Sequence, residues 1–295
     1  MNKTKGYIFA VLAVLFWSFN VIVAKYFANT FTPWQISFYR WFFASICLIP
    51  FTLGDIIKKK DVILKNFQII FWLSITGIVL MNTFSYIAGD TISAVEMSLI
   101  GVMGPVFIII LSRIFYNIHI STKQIWGIII SFIGVITIVL HGKLLSNNFS
   151  FKIGDLCMLM LAFSFGVYSV IMIKRPKEIS QTTLLSCIIL LGTAIILPFF
   201  LLDSFHHPVC DKWNFISIST LLYMGIFNSV LSYLFWNISL DIIGGIKASI
   251  IYYLMPIFSS VEAYFFLGEK IYSTQIYGGI LVLFGIFLTN EKNKS

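Results

Sequence analysis

An internal repeat constrains the fold of this chain more than any other feature of its sequence. The stretch over residues 94–140 recurs from residue 245 onward with its spacing intact, so that adding 151 converts Pro105 to Pro256. A shorter match, offset by 149, relates the first long apolar segment to the sixth. Repetition on this scale predicts a molecule built from two copies of one helical unit.

The composition indicates that both copies lie in a membrane. Hydrophobic residues make up 59% of the chain, charged residues only 11%, and the mean hydropathy is +0.94. An ordinary soluble domain carries about 25% charged residues. The net charge of +8 is explained by loops on one side of the bilayer, so we expect no nucleic-acid partner.

Apolar runs of about 20 residues match a hydrocarbon core of about 30 Å, and they must be helical because lipid offers no hydrogen-bond partners to the backbone. We read the first run as a span rather than a signal peptide, since no convincing cleavage site follows it. Ten spans are predicted, at 6–28, 33–53, 67–88, 93–115, 122–141, 154–174, 181–202, 216–238, 245–267 and 274–290.

Five spans per copy is an odd number, so the second copy enters the membrane from the opposite face. The predicted fold is therefore an all-α membrane protein of ten transmembrane helices, arranged as two inverted five-helix repeats at 1–145 and 150–292. Inverted repeats give many secondary transporters two nearly equivalent states, each open to one side.

Lysine and arginine residues predict the orientation. With the N-terminus in the cytoplasm, fourteen of them fall at inner loops and helix ends and five on the outer side. This bias favours a multi-pass protein of the bacterial inner membrane with both termini cytoplasmic.

Several motifs give the chain a resemblance to a known family. They are FWSFNVIVAKY, TPWQISFYRW, SAVEMSLIGVMGP, GGIKASIIYYLMP and LGEKIYSTQIYGGILVLFGI. Together they resemble the ten-helix EamA-like branch of the drug/metabolite transporter superfamily, over essentially the whole chain. The resemblance implies a transporter but no particular substrate. The copies differ where the second has Gly268 and Glu269 and the first has Asn117 and Ile118, so a role of Glu269 need not be mirrored.

Arg40 lies inside the second span, where a charge costs about 2.5 to 3.5 kcal/mol on insertion scales. At helical spacing it shares a face with Ser37, Ala44 and Cys47, so we expect its guanidinium to point into the bundle. Its planar fork suits a carboxylate or phosphate of a substrate. The alternative is a structural arginine that binds backbone carbonyls or a fixed acid.

Three further charges are candidates for gating or coupling. Glu96 and Lys247 occupy equivalent places, nine residues before the two prolines, and a Glu there also suits the start of a helix. Glu262 lies away from the face that carries Tyr252. It either meets another helix or lies near the surface, and it is a candidate for proton coupling.

Mid-membrane aromatic and amide residues predict a central cavity, which the resemblance helps to assign to helices 1, 3, 4, 6, 8 and 9. Aromatic faces suit an amine-bearing solute, because a desolvated ammonium group placed over the face of an aromatic ring is stabilised by about 2 kcal/mol. The alternative is that an aromatic-rich chain places some rings everywhere. The candidate substrate-binding residues are Trp17, Asn20, Arg40, Asn82, Tyr86, Tyr168, Tyr233, Trp236, Tyr252 and Tyr253.

Small residues and prolines predict how the helices pack and bend. Small side chains form a close-contact face on the last helix of each copy, where backbones can approach. These residues are Gly127, Ser131 and Gly134, with Gly278 and Gly285 as their counterparts. Pro105 and Pro256 each remove a helical hydrogen bond in mid-span. They are candidate bending points for gating, and a static kink is the alternative.

The leading hypothesis is a secondary or facilitative transporter of small amine-bearing metabolites, such as amino acids or polyamines, with protons as a candidate coupling ion. Alternatives are a broad-specificity exporter of drugs or toxic metabolites and a membrane enzyme for lipid-linked substrates, which would depend on His141, Glu96 or Glu269. The spacing in HHPVCD (206–211) matches no common zinc pattern. No cofactor is expected, and a monomer or a homodimer is equally compatible with the sequence.

The inverted topology predicts opposite labelling of two lysine positions. In single-cysteine variants, Lys60→Cys should react with a membrane-impermeant maleimide only from the cytoplasmic side and Lys270→Cys only from the outside. Labelling of both positions from the same side would contradict the two-repeat arrangement.

Overall fold

The protein is described from a computed structural model that covers residues 3–28, 30–117, 121–139, 151–172, 174–208, 213–243, 251–252 and 254–290. Within these ranges the regular secondary structure is entirely helical. The long helices are α1 (Lys3–Phe27), α2 (Pro33–Lys58), α3 (Phe67–Gly89), α4 (Ala94–Tyr116), α5 (Thr122–Val139), α6 (Ile153–Met172), α7 (Gln181–His206), α8 (Phe215–Tyr223, Met224–Leu231 and Ser232–Ile243), α9 (Met255–Leu267) and α10 (Ser273–Asn290).

These helices confirm the predicted fold of ten apolar spans in two inverted five-helix repeats. Seven of them are long and apolar enough to cross a membrane, and three shorter apolar helices account for the other spans in the described part of the chain. Three helices continue four or five residues past the approximate predicted span ends: α2 to Lys58, α7 to His206 and α8 to Ile243. Polar residues at these ends extend the helices beyond the apolar run that sets a hydropathy boundary.

Side-chain caps fix several helix starts. Thr32 and Ser93 form capping boxes, with Gln35 and Glu96 respectively, at the beginnings of α2 and α4. In each box the hydroxyl accepts from a backbone N–H, and the longer side chain accepts from the N–H of the capping residue. The first four N–H groups of a helix otherwise lack partners, so the boxes define where the chain turns back into the bundle.

Successive helices run in opposite directions, which gives the molecule two ends. The N-terminal end carries the starts of α1, α3, α5 and α7, and the far end carries the starts of the even-numbered helices and the end of α9. Contacts distant in sequence agree with this assignment. At the N-terminal end, Thr183 of α7 donates to Asp55 of α2 at 3.3 Å. At the far end, Gln35 of α2 donates to the His207 carbonyl at 2.8 Å.

The small-residue faces of α5 and α10, which were predicted to be sites of close packing, pack against each other. A Cβ atom added to Gly134 would lie 2.7 Å from the Gly278 carbonyl oxygen, and one added to Gly285 would lie 2.5 Å from the Gly127 carbonyl oxygen. Between these contacts, Ser131 donates to the Val282 carbonyl at 3.3 Å. The two helices therefore meet backbone to backbone.

Both prolines that were predicted as bending points lie in the first turn of a helical segment. The chain turns at residues 102–103, and the second part of α4, Gly104–Tyr116, has Pro105 in its first turn. Pro256 likewise lies in the first turn of α9. The N–H that proline lacks has no helical partner at such a position. The regular helix of α4 is therefore interrupted beside Pro105, in mid-span, and a gating role for either proline stays a prediction.

Two wide helical turns occur at matched places in the repeats. Ile75–Leu80 in α3 and Met224–Leu231 in α8 are π-helical and start 149 residues apart, the offset that relates the first and sixth spans. The wide turns leave carbonyl groups available to side chains. The Asn82 amide nitrogen donates to the carbonyls of Gly77 and Ile78, both at 3.1 Å. Such turns are frequent at functional sites.

The contact between α5 and α10 predicts unequal effects of two alanine substitutions. Gly134→Ala would force a methyl group against backbone atoms, and we expect a loss of about 1–3 kcal/mol of stability. Gly54→Ala, in α2, has nothing within 4 Å of its added methyl and should gain about 0.5–1 kcal/mol through helix propensity. Thermal unfolding of both variants in one detergent measures the difference. Equal stabilities would contradict the close contact.

Candidate functional site

A cavity of about 250 Å³ lies between the two halves of the bundle. Its walls come from α1, α2, α3, α4, α6, α8 and the residues at and just before the start of α9. This is the predicted set of helices with one addition, α2, which contributes Arg40. The lining residues are Trp17, Asn20, Val21, Arg40, Met81, Asn82, Ser85, Gly101, Met158, Leu161, Phe165, Tyr168, Ser169, Met172, Arg175, Asn228, Tyr233, Trp236, Asn237, Tyr252 and Met255.

Arg40 forms the polar centre of this cavity. Its side chain is 2% exposed, and its guanidinium points into the bundle as expected. The group donates to five oxygen atoms on three other helices. The acceptors are Asn20 Oδ1 at 2.6 Å, Asn82 Oδ1 at 2.7 Å, Tyr86 OH at 3.0 Å, Ser229 Oγ at 2.7 Å and Asn228 Oδ1 at 2.5 Å.

The backbone orients the asparagine amides around Arg40. The Asn228 nitrogen donates to the Phe16 carbonyl at 2.6 Å, and the Asn82 nitrogen donates to the carbonyls freed by the wide turn of α3. Each amide therefore turns its oxygen toward the guanidinium. The sequence left open whether carbonyls or a fixed acid would hold Arg40, but these bonds go to neutral side-chain oxygens, which leave its positive charge unneutralised.

An aromatic wall faces this polar centre. The ring of Trp17 lies 5.3 Å from those of both Tyr233 and Trp236, and the ring of Tyr252 lies 6.1 Å from Trp236 and stacks on Phe165 at 5.9 Å. Offset and edge-to-face contacts of this kind fix ring positions. The wall offers a cation the negative faces of several rings within one cavity.

Hydrogen bonds also join the two halves at the far end. Gln35 of the first half binds the His207 carbonyl of the second. The Glu269 carboxylate, just beyond α9, accepts from the backbone N–H groups of Ala94 at 3.0 Å and Val95 at 3.4 Å. A carboxylate at a helix N-terminus is favoured by the helix dipole. The cavity lining reaches Arg175, in the α6–α7 connection at the N-terminal end.

Most of the predicted binding residues come together in this cavity. Tyr86 lies behind the lining and contacts it through hydrogen bonds with Arg40 and Asn20. Tyr253 lies outside the described residues. The residues that do line the cavity are Trp17, Asn20, Arg40, Asn82, Tyr168, Tyr233, Trp236 and Tyr252.

The predicted gating residues lie elsewhere. The Glu96 carboxylate accepts from the Ser93 backbone N–H at 3.0 Å in the capping box, and it is not among the cavity-lining residues. Glu262 meets another helix, which was one of the two possibilities, because it accepts from Ser18 at 2.8 Å. Lys247 and His141 lie outside the described residues.

Sequence reasoning missed several lining residues. Asn228 is an amide inside an apolar span, so the reasoning that singled out Asn82 could have found it. Phe165 gave no signal, because phenylalanine is common throughout the chain. Arg175 was counted only as an inner-side charge. Four methionines, which fill irregular apolar space, also line the cavity: Met81, Met158, Met172 and Met255.

Comparisons with known proteins agree with this architecture. The profile of the EamA-like transporter family matches residues 4–140 and 152–291. An uncharacterized transporter of Archaeoglobus fulgidus is 26% identical over 98% of this chain and 99% of its own length. The uncharacterized transporter YyaM of Bacillus subtilis is 28% identical over 91% and 87%. A WAT1-related protein of Arabidopsis thaliana is 25% identical over 91% and 82%.

A solved crystal structure has a similar fold. It aligns with a TM-score of 0.63 at 14% sequence identity, over 97% of this chain and 96% of the other.

The hydrogen bonds of Arg40 predict a large cost for its removal. Arg40→Met leaves buried oxygen atoms without hydrogen-bond donors. Each oxygen that water cannot reach lowers the free energy of unfolding by about 1–3 kcal/mol. We expect thermal unfolding of the purified protein to occur at a clearly lower temperature. Arg175→Met, a control at the edge of the cavity, should change stability by less than about 1 kcal/mol. Equal stability of the two variants would contradict a structural role for these bonds.

Proposed function

Because this chain belongs to the EamA-like transporter family, we propose that it carries small amine-bearing metabolites across the membrane by alternating access. Amino acids fit the cavity better than polyamines. Movement follows the gradient of the solute or is coupled to protons.

The charge of the cavity carries this proposal. In the described part of the lining, the charged side chains are Arg40 and Arg175, and both are cationic. A desolvated positive site favours an anionic group on the solute, and a guanidinium offers a carboxylate two parallel hydrogen bonds. A polyamine, by contrast, would bring more positive charge into a cavity that already holds two cations.

The aromatic wall supplies the complementary half of the site. Trp17, Trp236 and Tyr252 offer ring faces to an ammonium group, while their apolar edges accept an aliphatic or aromatic side chain. A solute with both a carboxylate and an amine would satisfy both parts of the cavity. The natural class with that pattern is the free amino acids.

The arrangement of the halves supports alternating access. At the far end Glu269 of the second half binds the start of α4 in the first half, and the cavity lining extends toward Arg175 at the N-terminal end. Inverted repeats allow the halves to exchange conformations, which would open the far end and close the other. With both termini in the cytoplasm, as the lysine distribution favours, this structure has its cavity directed toward the cytoplasm.

Paired solutes test the substrate class. We expect proteoliposomes containing the full-length protein to take up labelled leucine or phenylalanine saturably. The matching decarboxylated amines, 3-methylbutylamine and phenethylamine, should compete at least about tenfold less well, since losing one charge-assisted contact of about 1.4 kcal/mol lowers affinity tenfold. Stronger competition by the amines would contradict the carboxylate role. No saturable uptake of any amino acid or amine by folded protein would reject the class.

Two tryptophan variants test the aromatic wall. Trp17→Ala removes a ring from the cavity and should raise the KM for amino-acid uptake about tenfold or more, through loss of a contact of up to about 2 kcal/mol. Trp126→Ala removes a ring that is 59% exposed on the outer face of α5 and should leave uptake unchanged. Equal uptake by both variants, with both folded, would place binding outside the cavity.

A second candidate is a broad-specificity exporter of drugs or toxic metabolites. The four methionines of the lining favour it, because flexible thioether side chains adapt to differently shaped ligands. Growth of expressing cells across a panel of toxic compounds separates the two functions. An exporter protects against unrelated compounds, whereas an amino-acid carrier alters sensitivity only to amino-acid analogues.

A further inference from the structure

Glu262 lies in the membrane at a contact between the two halves, outside the cavity lining. It belongs to α9 of the second half, and its Oε1 atom lies 2.8 Å from the hydroxyl oxygen of Ser18 in α1 of the first half. Ser18 is fully buried. The other carboxyl oxygen, Oε2, is also buried and has no hydrogen-bond partner.

The hydrogen bonds at this contact favour a neutral carboxyl group. The Ser18 hydroxyl has one hydrogen but two acceptors within reach, since the Leu15 carbonyl lies at 2.7 Å. If Glu262 is protonated, it donates to the Ser18 oxygen while Ser18 donates to Leu15, and both contacts are satisfied. If Glu262 is ionised, one bond satisfies one carboxylate oxygen, and Oε2 remains charged and unpaired.

Surrounding groups give an anion little support. Glu262 forms no ion pair with any of the described residues. On the neighbouring helices, Tyr223 of α8 is close enough for electrostatic interaction, and Glu96 of α4 is engaged by Ser93. On α1, the ammonium of Lys25 binds the Gly89 carbonyl. An unpaired carboxylate in hydrocarbon is costly, whereas a neutral acid leaves only a weak acceptor unpaired.

We propose that Glu262 is a proton-binding site that couples protonation to closure of the far end. The inference rests on the alternating access of the proposed function. A bound proton stabilises the contact between α1 and α9. When the far end opens and these helices separate, water reaches the carboxyl group, the O–H bond breaks, and the proton leaves to the solution at that end.

The sign of the pH effect follows from this linkage. The closed state holds one more proton than the open state, so raising the pH favours opening of the far end. The ratio of open to closed molecules changes by at most tenfold per pH unit for one linked proton. A transport cycle with this step moves a proton across the membrane or depends on pH at the far side.

Infrared spectroscopy tests the proton directly, without a substrate. For the full-length protein in lipid at about pH 7, we expect the carbonyl band of a protonated carboxylic acid, and Glu262→Gln should remove it. Glu178→Gln changes an exposed glutamate at the N-terminal end and should leave the band unchanged. A band that persists in Glu262→Gln, or its absence from the unmodified protein, would overturn the proposal.

Distance measurements test the coupling. Spin labels at Tyr26→Cys in α1 and Lys270→Cys beyond α9, in a background without the native cysteines, report opening of the far end. Between about pH 5.5 and about pH 8.5, the open fraction should rise with pH when Glu262 is present and stay low and constant in Glu262→Gln. The same pH response in both proteins would contradict the proposed coupling between protonation of Glu262 and closure of the far end.

A second variant covers the case in which Glu262→Gln does not fold. Ser18→Ala removes the hydroxyl but keeps the acid, so we expect the protonated-carboxyl band at a shifted frequency and a larger open fraction at every pH. An unshifted band together with an unchanged open fraction would count against the contact. Neither readout needs transport, so failure of the amino-acid uptake experiments would leave these results interpretable.

Discussion

The buried charge of Arg40 is the interaction on which the rest of the site depends. A guanidinium cannot give up its charge in a protein, so the surrounding helices must solvate it, and oxygens from α1, α3 and α8 do so. This requirement brings both halves to one point. The repeat does not duplicate it, since the matching part of α7 contains the buried pair Ile188 and Ile189. A nearly symmetric scaffold therefore holds an asymmetric polar cavity.

The wide turns of α3 and α8 show how the backbone contributes to that solvation. In hydrocarbon, every carbonyl group needs a partner, and a wide turn leaves carbonyl groups without their usual helical donor. The π-helical segments release carbonyls that hold Asn82 with its nitrogen away from Arg40, and Asn228 lies within the second segment. The charge, the amides and the irregular backbone form one unit, in which no part satisfies its hydrogen bonds alone.

Much of this architecture could be predicted from the sequence, because lipid simplifies the rules. Hydropathy predicted the ten spans, the repeat predicted their inverted arrangement, and intramembrane polarity singled out Arg40, Asn20 and Asn82. The π-helical segments and the turn at residues 102–103 leave no distinct composition, since they depend on which carbonyls find side-chain partners in the folded bundle. Phe165 was missed for a related reason. A common apolar residue reveals its role only when its neighbours are known.

The contact between α5 and α10 has a geometric consequence for any change of state. An offset of 151 pairs Ser131 with Val282 and the Gly134–Gly278 contact with the Gly285–Gly127 contact. The pseudo-twofold axis of the molecule therefore passes through the α5–α10 contact. A conformational change that exchanges the roles of the two halves maps this contact onto itself, so the packing of α5 on α10 can stay fixed while the rest of the bundle rearranges. These two helices are suited to serve as the stationary pivot of the molecule.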